Sequence, residues 1–454
     1  MASGRWLLIF ALVAASLAGC FSPSSPGAED RQVDAPASFS DPLVIGTGGD
    51  AEVSLAVGTN GTVLACSHGG FTRHAMWAST DGGATFLQQD TGDPDVSGDC
   101  DVSAGPNAWH YVYSAIRQDA LPGGAIASSV IELRLATSRD EGTTWTITAP
   151  VPATTMHDRA WLAQDGDSVV IAYVAARPVG LNCADVPDAG IHGCAAQDAV
   201  MAVRSADGGR TWSAPVVAYT GVPEPSGVLN GDLVIWDEGR AVGMPLLVLA
   251  SADAATGSIV FAGSGDGGAT WSSRQVATTT LRTFPSASLG DNGELAVAFA
   301  TGTRERAAVA LVTSSDEGVT WGAPRTVTTN ATFDRSLTTS GNLIPAVGVS
   351  LDGHGTATLA WLEADDRNGT DTWTLHAARI TAGPERAVAF SGPVRDSGHG
   401  VWSAAYEFLQ VRTDPSGDTL VAYPWNAAGC KDSPSAFADR GRNEQCAELV
   451  RIPA

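Results

Sequence analysis

Ser205-Ala-Asp207-Gly-Gly209-Arg-Thr211-Trp212 is one of five copies of a single short pattern in this chain. The others are Ser79-Thr-Asp81-Gly-Gly83-Ala-Thr85-Phe86, Ser138-Arg-Asp140-Glu-Gly142-Thr-Thr144-Trp145, Ser264-Gly-Asp266-Gly-Gly268-Ala-Thr270-Trp271 and Ser314-Ser-Asp316-Glu-Gly318-Val-Thr320-Trp321. A short Asp side chain can accept hydrogen bonds from backbone N–H groups just downstream, and Gly supplies a positive-φ position. Thr and an aromatic then suit a returning strand. Each copy reads as a self-capped hairpin with an aromatic plug. Recurrence every 50–67 residues implies an array of small sheets, which at this length is a β-propeller.

The pattern, Ser-x-Asp-x-Gly-x-Thr-aromatic, resembles the Asp-box (BNR repeat) of the sialidase superfamily. The resemblance implies blade-building hairpins, so Asp81, Asp140, Asp207, Asp266 and Asp316 are expected to be structural.

Seven apolar β-rich runs serve as second strands: Val63–Cys66, His110–Tyr113, Val169–Tyr173, Leu246–Ala250, Leu295–Phe299, Ala357–Trp361 and Leu420–Tyr423. Each follows a short inner strand, in order Val53–Val57, Asp101–Ser103, Ala160–Ala163, Asp232–Ile235, Ser286–Leu289, Ala346–Val349 and Phe408–Val411. The expected fold is all-β, a seven-bladed propeller of four-stranded antiparallel blades, with six blades as the alternative. The chain ends on a third strand at Ile452, and Asp41-Pro-Leu-Val-Ile45 matches the fourth-strand pattern, so it is expected to complete blade seven and close the ring.

Arg5 and the apolar run Trp6 to Leu17 read as a signal peptide over residues 1–19, and Leu17-Ala-Gly-Cys20 resembles a prokaryotic lipobox. That resemblance implies lipidation of Cys20 and an exported protein anchored on the extracytoplasmic side of the membrane. An ordinary secretion signal with a chance Cys is the alternative. Residues 20–38, rich in Ser, Pro and Ala, read as a flexible tether, and residues 39–454 as the propeller. Setting Cys20 aside leaves Cys66, Cys100, Cys183, Cys194, Cys430 and Cys446, an even six suited to disulfides in an oxidising compartment; the alternative is six buried thiols. Their places on the strand map suggest the pairs 66–100, 183–194 and 430–446. A net charge of −23, with Lys431 the single lysine, argues against nucleic acid and anionic membrane surfaces as partners.

Inner strands start at one face, here the top. Loops from fourth to first and from second to third strands lie there, and the Asp-boxes lie at the bottom. Polar residues at top positions are the ligand-binding candidates: Asp50, Glu52, His68, Asp99, Asp101, Asp158, Arg159, Arg282, Tyr406 and Glu407, with Arg117, Glu363, Asp365 and Asp366 nearby in the same map. Solvation of the channel is the plainer role for any one of them. Asp99, Asp101, Asp158 and Arg159 form the strongest group. Asp50, Glu52, Asp99 and Asp101 could attract Ca²⁺, but without EF-hand-like spacing an unmetallated acidic rim is expected, with no cofactor.

Enzymes of the resembling family use three arginines, a Tyr–Glu pair and an Asp, on six blades, with an Arg-Ile-Pro motif before the first Asp-box. Here that segment is Asp41-Pro-Leu-Val-Ile-Gly, and Arg451-Ile-Pro453 occurs after every Asp-box, on a strand running to the bottom. Arg159, Arg282 and either Arg304 or Arg412 could form an anion clamp. Tyr406 and Glu407 are neighbours on one strand and should point to opposite faces. No catalytic residue is assigned. The expected function is a monomeric propeller that binds a glycan or cell-surface protein at its top face; the alternative is an exo-acting glycoside hydrolase of sialidase type, working through carboxylates and arginines at the mouth.

Overall fold

The computed structural model describes residues 34–47, 52–68, 74–120, 126–151, 156–178, 195–221, 228–249, 256–303, 306–331, 347–364, 372–380, 388–396, 409–426 and 445–454. Among these residues every element is a strand, and the strands form seven sheets, antiparallel but for one added edge strand. Blade one comprises Ser54–Val57, Val63–Cys66, Met76–Ser79 and Leu87–Gln88. Blade two comprises Val96–Ala104, Trp109–Ala120, Ile126–Ser138 and Thr146–Thr148. Blade three comprises Met156–Asp165, Ser168–Pro178, Ala195–Ser205 and Val216–Thr220. In blade four the inner strand is broken into Val228–Asn230 and Val234–Trp236, both paired with Ala241–Leu249; Gly257–Ser264 and Ser272–Thr279 complete it. Blade five comprises Ser286–Leu289, Leu295–Thr303, Arg306–Ser314 and Arg325–Ala331. Blade six comprises Val347–Leu351, Ala357–Ala364, Thr372–Ile380 and Val388–Asp396. Blade seven takes Gln410–Thr413, Thr419–Asn426 and Gln445–Ile452 from the C-terminal end, and Leu43–Thr47 as its fourth strand.

Ring closure is therefore as the sequence suggests. Leu43 pairs with Leu449 and Thr47 with Cys446. One element differs from expectation: Asp34–Ser38, placed in the tether by composition, runs parallel to Val388–Asp396 as a fifth strand of blade six. An unpaired outer edge accepts any backbone delivered to it, even one of low apolar content.

The core lies between blades. Ile45, Leu55, Val63, Trp77, Leu420 and Leu449 join blades seven and one; Leu64, Cys66, Val102 and Tyr111 join one and two; Val112, Leu135, Leu162 and Ile171 join two and three. A fully buried side chain of this size stabilises by roughly 1.5–3 kcal/mol, so each blade depends on both neighbours.

The five hairpins form one repeated hydrogen-bond knot. In the copy at Asp207, Oδ1 accepts from Ser205 Oγ (2.7 Å) and from the N–H groups of Arg210 (3.0 Å) and Thr211 (2.8 Å). Oδ2 accepts from Thr211 Oγ1 (2.7 Å), and Ser205 Oγ accepts from Gly209 N (2.9 Å). These donors, Thr211 first, hold the carboxyl well below the usual range. Gly209 sits at φ 82°, and a Cβ there would lie 2.9 Å from Leu135 of the preceding blade, which requires glycine twice over. At the bottom face an arginine of one blade also reaches a carbonyl in the next blade's Asp-box: Arg139 to Gly208 O (2.6 Å), Arg204 to Asp266 O (3.4 Å) and Arg451 to Gly82 O (2.5 Å).

Candidate functional site

Two polar assemblies occupy the centre of the ring at different depths. The deeper one lies on the axis. Asp101, on blade two's inner strand, accepts from Ser54 Oγ of blade one and from the backbone N–H of Leu162 in blade three (2.7 Å). Opposite it, Asp232 sits in the break of blade four's inner strand. It accepts from Ser286 Oγ of blade five (2.5 Å) and Gln410 Nε2 of blade seven (2.9 Å), and Arg412 lies 3.5 Å away. Burial pushes the Asp101 carboxyl up to about 7, aided by the charge of Asp232, while the hydrogen bonds from Ser54 and Leu162 and the charge of Arg412 oppose it. Asp101 thus separates from the group the sequence put it in. Its carboxyl is 3% exposed and saturated by neighbouring blades, so it stitches the channel and does not face the mouth. Asp232, read as an ordinary inner-strand residue, is its counterpart.

The shallower assembly gathers Glu52, His68, Asp99, Asp158 and Arg159. Local backbone irregularities aim these side chains. Blade two's inner strand slips register between Ser97 and Cys100, and blade three's between Asp158 and Trp161. A bulge adds a residue and redirects its side chain. The second bulge lets the neighbours Asp158 and Arg159 meet, with Arg159 held at φ 50°. Glu52, just ahead of blade one's inner strand, is also left-handed, at φ 66°.

Arg159 Nη1 donates to Asp158 Oδ2 at 2.6 Å, the two side chains being 5% and 9% exposed. Its guanidinium carbon lies 5.1 Å from the ring centre of Phe284, which approaches from blade five's side. His68 Nε2 lies 3.9 Å from Asp99 Oδ1. Burial works upward on the Asp99 carboxyl, but His68, hydrogen bonds from Glu52 and Asp158, and the charge of Arg159 outweigh it and hold Asp99 below its ordinary value.

Other expectations resolve as follows. Cys66 and Cys100 form a disulfide across blades one and two, and Cys446 is disulfide-bonded. Cys20, Cys183, Cys194, Cys430, Asp50, Tyr406, Glu407, Arg304, Asp365 and Asp366 lie outside the described residues. Arg412 faces Asp232 on the axis and Arg159 faces Asp158, so these two arginines do not form a common clamp. Arg451 ion-pairs with Asp414 (2.6 Å) and Asp418 (3.0 Å) at the bottom, away from the mouth. Among the described residues no His, Cys, Asp and Glu side chains are grouped to hold a metal. A buried Tyr–Glu pair does exist: Tyr423 donates to Glu448 at 2.9 Å, but between the second and third strands of blade seven.

Sequence reasoning also missed a half-buried ion-pair network beside the mouth. Arg134 reaches Asp93 (2.6 Å), Asp95 (2.9 Å) and Glu132 (2.6 Å), and Tyr113 donates to Asp93. Burial works upward on Asp93, and the hydrogen bonds from Tyr113 and Arg134 outweigh it. Polar residues in the segment joining blades one and two carried no periodic signal.

Fold and site together define an Asp-box propeller with an acidic, arginine-bearing mouth. In agreement, residues 160–342 match the BNR repeat-like domain. No curated protein sequence matches it. Among solved structures, phage phi92 endosialidase matches at 10% identity and a TM-score of 0.50, covering 92% of this chain and 69% of that one. Trypanosoma rangeli sialidase matches at 12% identity and 0.44, covering 91% and 60%, and the Hadza microbial sialidase Hz136 at 13% and 0.41, covering 83% and 64%. The chain spans about three fifths of the length of these last two. At such identities the likeness concerns the fold alone.

Proposed function

We propose that this chain is an exported propeller, anchored by lipid at Cys20, that binds a glycan at its top face without the catalytic apparatus of a sialidase. The observation that carries the reading is the convergence of Glu52, His68, Asp99, Asp158 and Arg159 on one arc of the mouth. Carboxyl, imidazole and guanidinium groups together offer the mixed donors and acceptors that sugar hydroxyls require. The second strands of blades two and three support it. Trp109–Ala120 runs four residues past the Val96–Ile116 pair, about 13 Å of strand that walls the mouth on that side. That the structural neighbours named above are sialidases is consistent with a carbohydrate ligand.

A glycan array probed with the wild type and with Asp99→Asn tests this. Binding to a defined glycan that Asp99→Asn weakens at least tenfold, with the melting temperature kept, is expected. A second reading, an exo-acting glycoside hydrolase, draws on the contact of Asp99 with Glu52 and Asp158, since glycoside hydrolysis works through a pair of carboxyl groups. Turnover of fluorogenic glycosides that Asp99→Asn abolishes would favour it over binding alone.

A further inference from the structure

We infer that the Asp-box face is the membrane-facing side of the propeller and that the mouth points away from the bilayer. This rests on the lipid-anchor reading of Cys20 and on the point at which the N-terminal chain reaches the ring.

Two backbone observations fix that point. Fourth strands begin at the Asp-box face, and Val388 begins the fourth strand of blade six. Asp34 is the Cα partner of Val388, Ser38 is the partner of Ser391, and the two strands are parallel. The chain ahead of Asp34 therefore arrives at the bottom edge. A few residues on, Ser40 N donates to Arg451 O (2.9 Å) and Arg451 N donates to Ser40 Oγ (2.8 Å). Arg451 itself ends at the bottom, on Asp414, Asp418 and the Gly82 carbonyl.

The distribution of exposed apolar side chains agrees. Among the described residues the large exposed hydrophobics are Val44, Leu87, Ile147, Val217 and Val319. Four lie on fourth strands and Val319 lies on an Asp-box turn; the mouth has none of them. Thirteen residues separate Cys20 from Asp34. The tether read from composition would span roughly 20 Å on average over that length, and its arrival at the bottom edge sets the Asp-box face nearer the bilayer than the mouth. A net charge of −23 opposes contact with anionic headgroups, so the tether and not the surface itself sets which face is near the bilayer. The consequence is a binding site open to ligands arriving from outside the cell that makes the protein.

The test uses the chain from Cys20 onward, coupled through the Cys20 thiol to a maleimide-headgroup lipid in phosphatidylcholine vesicles that carry a rhodamine-headgroup acceptor. A donor dye sits on an encoded azido-phenylalanine at Val319 (Asp-box turn) or at Thr220 (mouth end of blade three's outer strand), both exposed. Energy transfer from position 319 at least twice that from position 220 is expected. Equal transfer, or more from position 220, overturns the orientation. Native anchoring is read separately, by whether Cys20→Ser leaves the membrane fraction of the producing bacterium. If wild type and Cys20→Ser partition alike, the membrane-facing role falls even where the vesicle result holds, and the two failures are told apart.

Discussion

Replacing Asp101 by Asn should change how the stability of the propeller depends on pH. The Asp101 carboxyl is pushed up to about 7 by burial on the axis, against about 3.9 in an unfolded chain. The folded state therefore holds a proton that the unfolded state releases. The stability contributed by protonated Asp101 is fully present below the unfolded value and is lost as pH rises toward 7. At about 1.4 kcal/mol per pH unit, the loss between pH 4.5 and 8 comes to about 3 kcal/mol. Asn keeps the shape and an oxygen for the Leu162 N–H but does not titrate. Denaturant unfolding of the wild type and Asp101→Asn at pH 4.5, 6 and 8 isolates this one group, because every other titration is common to both. The variant should be equal or less stable at pH 4.5 and gain on the wild type by roughly 2–4 kcal/mol by pH 8. Parallel stability–pH curves would refute the argument, since Asp101 would then titrate alike in the folded and unfolded states.

Arg159→Ala strands the buried carboxyl of Asp158 and should cost about 3–5 kcal/mol, while Arg159→Ala/Asp158→Ala should cost clearly less; equal losses by urea unfolding would mean the pair is not coupled. Reduction of Cys66–Cys100, which closes a loop of sequence separation 34, should destabilise by roughly 3–4 kcal/mol in the same assay. Gly231→Ala should prevent folding at 37 °C, because a Cβ would lie 1.6 Å from the Pro285 carbonyl oxygen of blade five; a soluble variant with normal circular dichroism would contradict the packing. Deleting through Ile45 should lower the melting temperature far more than deleting through Ser38, since the first opens blade seven and the second removes only an added strand of blade six. Asp207→Ala should lower the melting temperature and leave glycan binding unchanged, as its hydrogen bonds are all within one bottom turn.

What the sequence made legible is what it encodes locally. Each Asp-box satisfies its own donors within seven residues, so five copies announce five hairpins, and Val63–Cys66 or Ser286–Leu289 can be read to the residue from β-rich runs between turns. Closure by Leu43–Thr47 was readable because the fourth-strand pattern repeats. The axis was not. Asp101 and Asp232 look like any inner-strand acid, and only the ring brings Ser54, Leu162, Ser286 and Gln410 to them from four other blades. Asp158 and Arg159 were grouped from the strand map, but the irregularity that lets their side chains meet was hidden, because strand alternation sends neighbours apart and a bulge that cancels alternation leaves no mark in composition.

That hidden irregularity is the strongest argument for where function resides. A device needed only to hold blades together should recur with the blades, as the Asp-boxes and the bottom-face arginines do. The mouth devices do not recur. Among the described residues, the left-handed non-glycine positions at the top face are Glu52 and Arg159, in blades one and three, and the inner-strand irregularities are the bulges of blades two and three and the break of blade four. The inner strands of blades five, six and seven pair without a slip. Left-handed non-glycine residues cost of order 1–3 kcal/mol each and persist only where the surroundings hold them. Here the Asp158 ion pair and the Phe284 ring hold Arg159. Strain gathered on one arc of a near-symmetric ring, beside the extended second strand of blade two and the cluster of Glu52, Asp99 and Asp158, serves a task that symmetry does not require, and binding a ligand there is such a task.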